Sequence, residues 1–179
     1  MLHVSLNIEY GGMALQTFFR YNWTVREQWY QWCEDIPYEE LVRPRIGGVG
    51  GILPTLFHVV DVEWSWIRVL QGKKDFEEGF EKYNTLEKII QLDEQFRTEV
   101  EEFVRSWNDS METRPFYDQR PDGNVLVYAW GEVMRHTIAH HIHHVGQLSV
   151  WAREVGKQPV SANMIRKNLM QPNMTVDQL

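Results

Sequence analysis

Five of the seven histidines in this chain fall within residues 131–156, GEVMRHTIAHHIHHVGQLSVWAREVG. Imidazole at that density points to metal chemistry, because a neutral ring nitrogen offers its lone pair to a divalent cation at about 2.0–2.1 Å. Val133, Ile138, Ile142, Val145, Leu148 and Ala152 recur at near-helical intervals with no proline among them, and Gly156 stands where a helix ends. Side chains four apart on a helix lie on successive turns with Cβ atoms roughly 5–6 Å apart. His140 and His144 can therefore converge on one ion, His136 shares their side, and His141 and His143 point away from it. Two ligands do not close a site; outside this helix the chain offers only His3 and His58. The competing reading is a histidine-rich surface that takes up metal adventitiously. The apolar periodicity opposes it, since most faces of such a helix are packed. Metalloprotease chemistry of the HExxH kind is excluded, because His141 stands where the glutamate base belongs. A single cysteine excludes a zinc finger.

The remaining elements must bring further ligands to this helix. Large apolar residues from Leu15 to Cys33 predict a helix over residues 13–35, followed by a stop and a turn at residues 36–40. ILPTLFHVVDVEWSWIRVL predicts a second helix, with Pro54 tolerated in its first turn. On it His58 stands among Leu56, Val59 and Val60, a setting in which a histidine is more often a packed, hydrogen-bonded residue than a ligand. Asp61 reads either as an acceptor holding an imidazole N–H or as a solvated carboxylate. Residues 85–107 predict a third helix with Asn84 or Thr85 as N-cap, its acidic residues on a solvated outer face. Between these lie a glycine cluster at residues 47–51, which is either mobile or a tight backbone approach, and a polar connection at residues 71–84. Residues 108–124 read as a crossover loop with a Pro-Asp-Gly turn, residues 125–130 as a short strand or the first turns of the histidine helix, and residues 162–170 as a short final helix. The fold class is all-α.

Length and composition set the frame. The 179 residues, 43% of them hydrophobic, fit one domain over residues 1–179. A net charge of −7 and a pI near 5.5 oppose nucleic-acid binding. No apolar run approaches the roughly 20 residues that span a bilayer, so no membrane partner is expected, and the expected location is the cytoplasm. Cys33 reads as packing rather than as a nucleophile. Of eight tryptophans, Trp64, Trp66, Trp130 and Trp151 either shape a pocket or fill the core, the core being the better reading for most of them.

HHIHHVGQLSVWAREVG resembles the fourth-helix signature of the DinB-like superfamily, in which two histidines four apart precede a Gly-Gln pair. FHVVDVEWSW is similar to that family's second-helix segment, where one histidine precedes an acidic and aromatic stretch. The resemblance covers nearly the whole chain. It implies a four-helix bundle with a long crossover connection, often dimeric, in a family that includes bacillithiol- and mycothiol-dependent transferases and a thiol-dependent maleylpyruvate isomerase. Carried over by position, the family's three-histidine metal site falls on His58, His140 and His144. Two positions depart from the pattern: His141 replaces a frequent glutamate, as an extra ligand or a surface imidazole, and Val145 replaces a basic residue that would contact an anionic substrate.

The function this implies is a metal-dependent enzyme, a thiol transferase or a hydrolase acting through metal-activated water, with a divalent ion (zinc or nickel first, iron or cobalt next) and a low-molecular-weight thiol as cofactors. Its partners are a small-molecule substrate and a second copy of the chain. His136, Asp61 and Gln147 are the candidate catalytic groups. The rival reading is a non-catalytic metal-binding stress or interaction protein, dimeric through the aromatic faces of the first two helices.

Overall fold

A computed structural model describes residues 10–165, 167 and 169. Four long helices pack side by side: α1 (Tyr10–Glu34), α3 (Ile52–Leu70), α4 (Leu86–Ser106) and α6 (Trp130–Glu154), with the short helices α2 (Tyr38–Val42) and α5 (Asp109–Glu112) in the connections. The helix expected from ILPTLFHVVDVEWSWIRVL has the bounds read from its periodicity. Thr85 caps α4 by accepting from the Lys88 amide at 3.3 Å. Gly156 closes α6 with φ +77, a conformation that disfavours side chains, so that Gly156 N–H donates to Arg153 and Lys157 N–H to Ala152 in a Schellman arrangement.

Three segments differ from expectation. The crossover at residues 108–124 is not plain loop: it holds α5 and strand β1 (Pro115–Gln119), which pairs antiparallel with β2 (Val125–Ala129), Phe116 opposite Tyr128. Aromatic and β-branched residues on both sides of the Pro-Asp-Gly turn, Phe116 and Tyr117 before it and Val125 to Tyr128 after it, give this hairpin its signal. The helix expected over residues 162–170 is absent from residues 162–165, and residues 166, 168 and 170 lie outside the described ones. Carbonyls after α6 bond to α1 instead: Tyr21 Oη donates to Ala162 O at 2.6 Å and Trp32 Nε1 to Gln158 O at 2.9 Å. The acidic face of α4 is not wholly solvated, because Asp93 is buried.

Asp93 belongs to an ionic cluster inside the bundle. The Arg26 side chain has no access to solvent, and its Nη2 donates to Glu63 Oε1 at 2.9 Å and to Asp93 Oδ1 at 2.8 Å. Tyr30 Oη and Trp23 Nε1 donate to the same two carboxylates, at 2.9 and 3.1 Å, and Arg97 adds a second guanidinium on Asp93 at 3.1 Å. Burial alone would lower the Arg26 pKa, but Asp93 and Glu63 more than offset it, so the guanidinium stays charged. Three helices, α1, α3 and α4, are thereby pinned at one level.

Arg26→Leu leaves two buried carboxylates without their shared cation. Its expected cost is roughly 3–5 kcal/mol, read from the midpoint of urea unfolding at unchanged slope. A loss below about 1 kcal/mol would mean that the cluster does not hold these helices.

Candidate metal centre

α3 and α6 are long neighbours running in opposite directions, which sets His58 of α3 against His140 and His144 of α6 and, further along, Trp66 against His136. His140 Nε2 lies 3.1 Å from His58 Nε2 and 3.1 Å from His144 Nε2. The ligand atoms of all three rings lie within 4.8 Å of one another. An ion held tetrahedrally by bonds of about 2.0–2.1 Å sets its donor nitrogens about 3.3 Å apart, so the spacing fits a divalent metal without rearrangement of the helices. His3 lies outside the described residues.

Electrostatics favour the form of imidazole that ligates. Burial and the neighbouring His144 lower the His58 pKa. Burial, followed by His144 and His58, pushes His140 down to about 3. Burial lowers His144 too, against a hydrogen bond from its ring to Gln147 that pulls the other way. All three rings are thereby kept neutral, with lone pairs available.

Gln147 stands behind the site. Its Oε1 lies 2.7 Å from His144 Nδ1, and its Nε2 lies 3.0 Å from His143 Nε2. With the amide oxygen accepting and the amide nitrogen donating, His144 carries its proton on Nδ1 and leaves Nε2 free for an ion. The amide has little room to turn. Gly48, at φ +53, approaches so closely that a Cβ there would meet Gln147 Cδ at 2.8 Å. The glycine cluster is thus a tight backbone approach, fitted over the residue that orients a candidate ligand.

The other expected residues are placed as follows. Asp61, one turn beyond His58, accepts from Ser65 Oγ at 3.3 Å; the acceptor behind an imidazole is Gln147 rather than Asp61. His136 is exposed, its ring centroid 5.9 Å from those of His140 and Trp66. His141 is neither an extra ligand nor a surface imidazole: it is 3% exposed, and burial and then the charge of Arg26 hold its pKa well down. Val145 is core. Cys33 is buried, and burial pushes its thiol up to about 12, which removes it as a nucleophile. Of the four tryptophans, Trp130 and Trp151 are buried, Trp64 stacks on Phe96 at 3.9 Å, and Trp66 lines a cavity.

The DinB family profile matches residues 8–175. The chain belongs to the DinB family. A relative from Bacillus subtilis (strain 168), uncharacterized protein YizA, is 46% identical over 155 residues, which span 87% of this chain and 96% of the relative. In this DinB-family chain the three clustered imidazoles could hold a divalent ion, and neither Gln147 nor Gly48 was assigned that supporting role from sequence. The signal for Gln147 was its spacing, three residues after His144; for Gly48 it was the glycine cluster, which allowed a tight backbone approach without naming its partner.

Gln147→Leu removes the acceptor that sets the His144 tautomer, and Gly48→Ala pushes the same amide aside. Each is expected to weaken zinc affinity about 10–100-fold, measured by competition with a chromophoric chelator. Wild-type affinity in Gln147→Leu would show that His144 needs no such support.

Proposed function

We propose that the chain is a metal-dependent thiol transferase, in which a low-molecular-weight thiol and a small electrophile react beside His58, His140 and His144. The observation that supports this most is the convergence of three neutral imidazole nitrogens from two helices, one of them backed by an amide. A divalent ion bound there, zinc or nickel ahead of iron or cobalt, supplies Lewis acidity that makes a thiol ionise near neutral pH.

The residues of the chain account for the proton and the geometry. The thiol surrenders its proton, its sulfur pair forms a bond to the electrophilic carbon, and the leaving group departs with the broken bond's pair and takes up the proton. Asp61 is the first candidate to carry that proton. Burial raises its carboxyl pKa, the Ser65 hydroxyl opposes the rise, and Asp75 adds to it, so Asp61 holds a proton more readily than an exposed carboxyl does. His136, one turn from His140 along α6, is the second. Gln147 acts through His144 and is a positioning residue.

Metal analysis of untagged protein, paired with a thiol-consumption assay against model electrophiles, tests this reading. About one ion per chain, lost in His58→Ala together with thiol-dependent turnover, is the expected result. Asp61→Asn is expected to keep its ion and lose about 10²–10⁴ in rate. Turnover with water alone would transfer the site to hydrolysis. An ion without turnover in any pairing would leave a metal-binding protein.

A further inference from the structure

One turn of α6 away from His140, a cavity of about 310 Å³ opens between three elements that the chain brings together only in the folded state. Trp66 comes from α3, Arg120 and Tyr128 from the β1–β2 hairpin, and Glu132, Val133 and His136 from the start of α6. Four residues of helix rise amount to about 6 Å, which is the distance along α6 between His136 on the cavity wall and His140.

The charges on its wall are already engaged. Arg120 Nε pairs with Asp118 at 3.0 Å and its Nη2 donates to Tyr128 Oη at 3.2 Å. The Glu132 carboxylate accepts the Ala129 amide at 2.7 Å, capping α6. The rest of the wall is the Trp66 indole, the Tyr128 ring, the Val133 side chain and the His136 imidazole, which packs against the rings of Trp66 and His140. A slot whose walls are aromatic, and whose Arg120 and Glu132 already hold partners within the protein, favours flat uncharged ligands that bury ring surface without competing for those partners.

We propose that this cavity binds a flat, uncharged aromatic or conjugated group of the substrate and holds its reactive end toward His58, His140 and His144. It rests on the thiol-transfer reading for the identity of that reactive end, and on the geometry of the cavity alone for the flat group. The hairpin, absent from a minimal bundle of helices, is on this account the specificity element, with Tyr128 as its contact.

The test uses 4-fluoroanisole, a neutral and unreactive ring followed by fluorine NMR, against full-length protein in metal-free, zinc-loaded and cobalt-loaded forms. Saturable binding is expected in all three, weakened roughly tenfold by Tyr128→Ala and by Trp66→Leu, with thermal unfolding checked for each variant. Cobalt is expected to enhance fluorine relaxation relative to zinc, which reports a ring close to the ion. Absence of saturable binding, indifference to both substitutions in folded protein, or ring binding without paramagnetic enhancement in protein shown to have bound cobalt overturns the proposal. Zinc stoichiometry on the same samples reads the metal site separately: loss of zinc binding with ring binding intact defeats the enzyme reading and leaves the cavity standing.

Discussion

A guanidinium removed from water persists only where carboxylates surround it, and that requirement sets the level at which α1, α3 and α4 meet in this protein. Arg26 takes Glu63 from one neighbour and Asp93 from the other. Apolar packing would tolerate a helix sliding by part of a turn, since leucine and valine are poor rulers. An ion pair whose partners cannot be resolvated tolerates much less. His58 lies on the same helix as Glu63, and His141, beside His140, senses the charge of Arg26. The cluster therefore fixes the height of α3, the helix that carries His58, against α1 and α4.

Much of this was legible in the chain and some was not, for physical reasons that differ by residue. Helical periodicity exposes long amphipathic helices directly, and Ile52–Leu70 could be read to its end residues because glycine precedes it and a Gln-Gly pair follows. The pair His140 and His144 was legible because helix geometry converts spacing into proximity. His58 was not legible by that route: a histidine on an apolar stripe has the same periodicity whether it ligates or packs, and only the resemblance to a family assigned it. Arg26 and Glu63 carried a signal that periodicity does contain, a charge standing on the buried stripe of an apolar helix. The contact of Gly48 with Gln147 carried none, because a loop's approach to a distant helix leaves no mark on local pattern.

The site divides into parts with different tolerances. The three imidazoles need orientation to within fractions of an ångström, and they sit on two long helices with an amide and a glycine loop behind them. The cavity beside them draws on a hairpin whose outer residues, Tyr117, Val125 and Val127, are exposed. An ion held on the helices as proposed, with recognition left to a connecting segment, would let ring contacts vary without moving the ion.

His58 and His140 are 82 residues apart in sequence yet share a contact through their ring nitrogens. An ion bridging them would close a long loop, and the unfolded chain cannot reproduce that bridge. Occupancy would then be part of the folding equilibrium: at a free ion concentration a hundred times the dissociation constant, linkage adds about 2.7 kcal/mol to stability. The same protein would be a tougher molecule where metal is plentiful and a more fragile one where it is scarce, so its lifetime would report the supply of the ion it uses.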